Sequence, residues 1–340
     1  METKPTHSLP TVTRGQSIAG IAATAASVFS TINFVRAQTP ITVRLGDVVA
    51  DGDPESDAHK FFAQRFSDLT KGAYQVKIFL NGTLGDPNHM NEQVSSGTLE
   101  LTKCGSGALP TYDKRLDILN LPYMYTGKDK LFAALDGKLG SAFGDIVANH
   151  GFKLLGFYDS GVRNIYNKKG PCDRPENIKI MGLRLRVQAS PLFIATFNQL
   201  GAQAVPLAPG EIYNAIQQGV VDGAENNINF YLTQHHNEVA PYYSITQHLF
   251  GNDVFLASAK WYATLTPDVQ AALVQAGHDA VAFERKAKTE ATKVAFAKCG
   301  DLGVKVNEAD IPAFQAAVKP VWEQFKGPLG NMYDIVLNTQ

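Results

Sequence analysis

GLRLRVQASPLFIATFNQLGAQAVPLAPGEIYNAIQQGVVDGAENN, residues 182–227, is the stretch whose pattern decides the fold. Leu183, Leu185 and Val187 alternate with Arg184 and Arg186, the period of a strand. Ser190-Pro191 then opens a helix, with serine as N-cap and proline in the first turn. Phe193, Phe197 and Leu200 fall on one face of that helix, and Gly201 stops it. Ala202 to Leu207 reads as a second strand, and Pro209-Gly210-Glu211 starts a second helix that ends at Gly219. Val220-Val221 reads as a third short strand, with Asp222-Gly223 turning the chain after it. Strand, helix, strand, helix and strand in so short a span is the density of an α/β unit. Two parts of it carry polar chemistry that packing does not require: Arg186 near the end of a strand, and Glu225-Asn226-Asn227 after the last one. In open α/β sheets, ligands collect at the carboxyl ends of strands.

Working outward, the chain has 340 residues, enough for two domains, and a formal net charge of −1. That balance argues against a nucleic-acid partner, which selects a basic surface. Residues 1–17 are polar with Lys4 and Arg14, Ile18 to Val35 is apolar, small and uncharged, and Val35-Arg36-Ala37 has a small-x-small cleavage pattern. Residues 1–37 therefore read as an export signal cut after Ala37. The competing reading, an uncleaved anchor, fits poorly with Gly20, Ser27, Ser30, Thr31 and Asn33 inside the segment. No later run resembles a membrane span, so no stable insertion is expected once the signal is gone. Of the cysteines, Cys172 and Cys299 are either bridged or free in an exported chain.

Upstream, Ile41–Val49 and Tyr74–Leu80 read as strands flanking a helix over Ser56–Leu69. Asp51 and Asp53 begin a D-x-D loop, but Pro54 and the lack of a distal glutamate break the calcium pattern. A helix from Asp86-Pro87 ends at Gly97 and carries Glu92, and Leu99–Lys103 forms a third strand. Cys104-Gly105-Ser106-Gly107 is a small-residue turn that lets backbone N–H groups approach a ligand, with Lys103 the nearest charge. Downstream, His235, His236 and Glu238 suggest metal, but adjacent histidines on a helix face different ways, and no metal site is expected. Leu265-Thr266-Pro267-Asp268 starts a helical pattern running to Lys298. At 1.5 Å per residue its roughly 32 residues span nearly 50 Å, more than one small domain. No G-x-S-x-G, H-E-x-x-H or paired catalytic carboxylates occur, so no catalytic residues are assigned and no cofactor is implied.

The ordered set Gly182–Val187, Leu200-Gly201-Ala202 and Glu211–Asn226 resembles the ligand-binding core of the extracytoplasmic solute-binding proteins of TRAP transporters. Further motifs match that family: Asn81-Gly82-Thr83-Leu84-Gly85, the segment with Glu92, Leu121-Pro122-Tyr123, Gly161-Val162-Arg163, and Thr246-Gln247-His248. The resemblance implies an α/β fold of the type II periplasmic-binding-protein kind, with two hinge-linked lobes and a long helix along both. It implies residues 38–163 with 249–275 as one lobe, and 164–248 with 276–340 as the other. A sugar acid would bind between them, its carboxylate on Arg186, a residue type that offers two parallel donors and stays charged. Arg184 fits a solvated surface position, and Arg163 fits a ligand contact or a structural ion pair equally well. Asn226 and Asn227 suit hydroxyls, or else simply form a turn. The doubled asparagine and Tyr166-Asn167 resemble hexuronate-binding members, whereas Gln247-His248-Leu249 departs from their usual pattern. Lys103, Glu92, Tyr123, Phe230 and His248 complete the expected pocket. The alternative within the class is a C4-dicarboxylate or other small organic acid. Membrane subunits of the transporter are the implied protein partner, and the periplasm the implied place.

Overall fold

The computed structural model describes residues 39–339; the segment 1–37 read above as an export signal therefore lies outside the described residues. Nine strands form one mixed sheet: β1 (Ile41–Gly46), β2 (Tyr74–Phe79), β3 (Leu101–Gly105), β4 (Phe152–Asn167), β5 (Arg184–Val187), β6 (Gln203–Pro206), β7 (Gly223–Asn226), β8 (Tyr242–Ser258) and β9 (Lys305–Glu308). Their order is β2-β1-β3-β8-β4-β7-β5-β6, with β9 on β8. The β1–β3 pairings are parallel, as are those of β5 with β6 and β7. Two long antiparallel strands, β4 and β8, join these two parallel sets.

Those two strands make the hinge between two lobes. The carboxyl end of β8 pairs with β3, Leu101 opposite Ala257 and Gly105 opposite Asp253. Its amino end, Tyr242–Ile245, pairs with β9 instead. The far end of β4, Asn164–Asn167, pairs with β7. The β4–β8 register slips between Asp159 and Gly161 and again between Arg163 and Ile165, where the chain crosses from one lobe to the other. Such bulges bend strands and raise their twist.

Side-chain alternation along the strands builds a separate core on each face of each half-sheet. Val254 and Leu256 of β8 join Met90, Leu99, Leu119 and Phe143, while Phe255 and Ala257 join Val43, Leu45, Phe62 and Phe66. In the other lobe Ile165 packs with Leu185, Val187 and Phe197, and Tyr166 with Ile216, Ala224 and Tyr243. The Pro267–Lys298 helix spans both lobes as its length requires: Leu273, Ala276 and Val281 lie in the first lobe's core, Ala295 in the second's. The final helices divide in the same way. Phe314 and Val318 pack in the second lobe, but Val321, Phe325, Leu329 and Met332 pack against the first. The expected assignment of 276–340 to the second lobe is thus corrected, because the apolar faces of these helices turn to two different cores.

Several local expectations also change. Lys130–Ala148 reads in the sequence as one helix but forms two, Lys128–Leu135 and Lys138–Ala148, broken at Asp136-Gly137. The third strand of the 182–227 unit is not Val220-Val221, whose Val220 is half exposed, but Gly223–Asn226. There Gly223 lies so close to Tyr166 and Asn167 of β4 that no side chain would fit. Phe230–Val239 reads in the sequence as a helix, but the helix covers Ile228–Thr233 and is followed by a single turn at His236–Glu238. All three cysteines are free and buried, Cys172 and Cys299 in different cores. Among the described residues, no helix is long and apolar enough to cross a membrane.

Candidate functional site

A cavity of about 280 Å³ lies where the carboxyl ends of β3, β5 and β7 face one another. Arg186, Gln188, Leu207, Asn226, Asn227 and Phe230 line it from the second lobe, and Glu55, Lys103, Gly105, Gly107 and Asp253 from the first. Ser160 and Arg163 of the hinge strand close its floor.

Arg186 is 2% exposed. Its Nε donates to the Leu207 carbonyl at 2.8 Å, fixing the plane of the guanidinium. Among the described residues neither terminal nitrogen has a hydrogen-bond partner, and no carboxylate lies within ion-pair distance. Burial pulls its pKa down to about 10, Glu225 opposing this at longer range and Arg163 adding to it. A buried cation without a counter-ion is costly unless an anion joins it. Two parallel donors on a fixed plane suit a carboxylate.

The other two arginines do different work. Arg163 forms a bidentate pair with Glu225, Nε to Oε2 at 2.6 Å and Nη2 to Oε1 at 2.8 Å. His248 Nε2 lies 3.2 Å from the same Oε2, and its Nδ1 is 2.9 Å from the Thr246 hydroxyl. Burial pushes the Glu225 carboxyl up, but Arg163 and His248 overcome this and hold it at about 2. Arg163 nevertheless lines the cavity, so of its two expected roles the ion pair is realised and the ligand contact stays open to it. Arg184 binds Asp222 through Nε and Nη2 and is half exposed outside the cavity.

The two asparagines differ as well. Asn227 is the N-cap of the Ile228–Thr233 helix, its Oδ1 accepting from the Phe230 N–H at 2.8 Å. Its amide nitrogen donates to Asn226 Oδ1 at 3.2 Å, as does its own backbone N–H at 2.8 Å. Asn226 Oδ1 is thereby held, while its Nδ2 has no partner within the described residues. The second asparagine orients the first and caps a helix, and both residues line the cavity.

Lys103 lines the cavity but is saturated, with Asp253 Oδ2 at 2.9 Å, Asp47 Oδ1 at 3.2 Å and Glu55 Oε2 at 2.5 Å. Burial works against its charge, but these carboxylates hold its pKa well above the ordinary lysine value. Phe230 lies on the wall edge-on to His236. The structure does not bring Glu92, Tyr123 or His248 to the cavity. Glu92 is exposed on its helix. The Tyr123 hydroxyl donates to the Thr246 carbonyl at 2.7 Å. His248 lies behind Glu225, 1% exposed. His236 turns inward to the Tyr166 hydroxyl at 2.7 Å, whereas His235 faces Glu238 outside.

Sequence reasoning missed Asp253, Glu55 and Gln188. Gln188 had a visible signal, since it follows Arg186 at the end of the same strand. Its side chain covers the Cys104–Gly107 turn: an added Cβ on Gly107 would stand 2.8 Å from Gln188 Cβ, and one on Gly105 2.8 Å from its Oε1. The small residues there accommodate the opposite lobe, not only a ligand.

Residues 45–327 match the family described as bacterial extracellular solute-binding protein, family 7. The chain belongs to that family. A solute-binding protein of Chromohalobacter salexigens is 34% identical over 80% of this chain and 81% of its own length. The 2,3-diketo-L-gulonate-binding periplasmic protein of Escherichia coli is 28% identical over 91% of this chain and 92% of its own length. Among solved structures, a TRAP periplasmic solute-binding protein from Chromohalobacter salexigens with bound D-glucuronate superposes with a TM-score of 0.84 at 30% identity, covering 88% of this chain and 100% of that one. One from a Sulfitobacter species with bound β-D-galacturonate also gives 0.84, at 32% identity over 87% and 98%. The resemblance to TRAP solute-binding proteins carried by 182–226 is borne out, and with it the two-lobed α/β fold. This family consists of transport components rather than enzymes.

Proposed function

We propose that this protein captures a hexuronate, such as D-glucuronate or D-galacturonate, in the periplasm and presents it to the membrane subunits of a TRAP transporter. The observation that carries this is Arg186: a fixed, buried guanidinium with both terminal nitrogens unengaged in an inter-lobe cavity. Its partner would be the ligand carboxylate. Asn226 Nδ2 and Arg163 supply further donors, and Phe230 offers an apolar wall to a sugar ring. The sugar acids bound by similar proteins support the class of ligand. Because both lobes line the cavity, a ligand there favours the closed arrangement, which is the form a membrane partner would read. The ligand leaves unchanged; no reaction is assigned. We further propose that the export signal is cut after Ala37, which the mass of the periplasmic protein would check.

Calorimetric titration with D-glucuronate, D-galacturonate and succinate tests the ligand class. Uronate binding with succinate silent is the expected result. Binding of succinate alone would replace this reading with the C4-dicarboxylate one. Arg186→Met should abolish binding of every carboxylate, and retained uronate binding would remove Arg186 from its role. Recovery of the ligand after incubation, with its NMR spectrum unaltered, checks that no chemistry occurs.

A further inference from the structure

The first lobe's wall of the cavity is acidic, and its one cation is already engaged. Asp253 Oδ2 accepts from Lys103, while Oδ1 has no partner within the described residues. Asp253 is 7% exposed, and it lines the cavity beside Glu55. Together with Asp47 and Asp53 behind them, these two carboxyl groups share two buried ammonium groups, Lys103 and Lys288. His59 joins the cluster through Asp47 Oδ2 at 2.7 Å. Across the cavity stands Arg186, which has no carboxylate partner. The site is therefore polarised: the guanidinium of Arg186 on the second lobe faces the carboxylates of Asp253 and Glu55 on the first.

We propose that Asp253 sets the charge of the accepted ligand: the site takes monoanionic polyhydroxy acids and excludes dianions of the same length. A ligand held by Arg186 at one carboxylate extends its other end toward Asp253 and Glu55. A hydroxyl there donates to Asp253 Oδ1. A second carboxylate there has no hydrogen to donate, meets oxygen acceptors, and finds Lys103 already bound to three carboxylates. Loss of its hydration is then uncompensated. This inference rests on the sugar-acid reading above but goes further, naming the end of the ligand opposite the carboxylate and the residue that reads it.

The test compares aldarates with uronates and with aldonates, the open-chain monoanions that differ from aldarates only in oxidation of the far carbon: D-glucarate against D-glucuronate and D-gluconate, and galactarate against D-galacturonate and D-galactonate, by calorimetry at pH 7.5 and fixed ionic strength. The aldarates should bind at least about a hundredfold more weakly, the scale of like-charge juxtaposition across an interface. Asp253→Asn, which keeps the shape and removes the charge, should narrow that gap at least about tenfold. Aldarate binding within a few-fold of the matching aldonate in the unaltered protein would overturn the inference, and this comparison stands even if D253N fails to fold. A folded D253N with an unchanged gap would overturn the role of Asp253. Failure of all sugar acids to bind would overturn the sugar-acid reading itself, a result distinct from either.

Discussion

Arg163 on β4 and Glu225 on β7 form a closed bidentate pair, with a third bond from Arg163 Nη2 to the Glu225 carbonyl at 3.1 Å. The pair ties the hinge strand to its neighbour in the second lobe, and His248 of β8 reaches the same carboxylate. Three strands thus converge on one buried acid that is fully satisfied from within. Arg186, on the strand beyond, is not. Unpairing Arg163 and removing Arg186 should therefore have opposite effects on stability. Glu225→Gln leaves Arg163 buried without its counter-charge and should cost about 3–5 kcal/mol of stability, read by urea unfolding. Arg186→Met removes a buried cation that lacks a partner, so the ligand-free protein should be as stable as the parent or slightly more so. If R186M were the more damaging change in the ligand-free protein, the assignment of structural and ligand-facing arginine would have to be exchanged.

The Gly107–Gln188 contact crosses the cavity from lobe to lobe. An alanine at 107 would place its Cβ 2.7 Å from Gln188 Oε1 and 2.8 Å from Gln188 Cβ. The amide can swing away, but Cβ moves only with the β5 backbone. Gly107→Ala should therefore oppose closure and weaken ligand binding by about 1–3 kcal/mol, the usual cost of overpacking. Gln188→Ala alone does not relieve a Cβ–Cβ clash, so the double variant should recover only part of the loss. Full recovery would show that the clash is with the amide tip alone. Titration of the two single variants and the double variant distinguishes these outcomes.

What the sequence disclosed and what it withheld divide along physical lines. Arg186 was legible as a polar residue near the end of a strand, but alternation places Arg184 on the same face, and only the resemblance to TRAP solute-binding proteins ranked Arg186 above it. The Pro267–Lys298 helix was legible from its start signal and length. Gly223–Asn226 was not recognised as a strand because its residues are those of turns; it is a strand only because β4 passes close enough to demand glycine. Asp253 was invisible for a related reason. It follows Gly251-Asn252 in β8, completing a trio of turn-forming residues, and its meaning comes from Lys103, which lies 150 residues away in sequence. The division of the C-terminal helices between lobes depends on which core each face meets, and periodicity names a face but not its partner.

The cysteines give a direct check on the closed cores. Burial pushes the thiols of Cys104 and Cys172 up to about 12, and Cys299 upward too. With so little thiolate at neutral pH and no access, a disulfide reagent should find no reactive thiol in the native protein and three after unfolding. Thermal unfolding should be unchanged by a reductant. One thiol only after unfolding would mean that two of them are bridged.

His236 supplies a pH dependence whose sign follows from its surroundings. It is 1% exposed, hydrogen-bonded through Nδ1 to the Tyr166 hydroxyl and flanked by Phe230. Burial first, and then the nearby charges of Arg186 and His235, lower its pKa to about 3 from an ordinary value near 6.5. The unfolded chain takes up a proton as pH falls through about 6.5 and the folded chain does not, so acid favours unfolding. The stabilisation is complete above that pH and declines toward about 3, at a limiting slope of about 1.4 kcal/mol per pH unit for this one group. His236→Gln keeps an acceptor for Tyr166 but cannot take up the proton. The variant should start less stable at pH 7.5, having lost part of its packing, and should lose less stability than the parent between pH 6.5 and 4.5. Urea unfolding at both ends of that range reads the difference. Equal losses in the two proteins would show that His236 is already protonated in the folded state, and would place a cation next to Arg186 where the geometry has none.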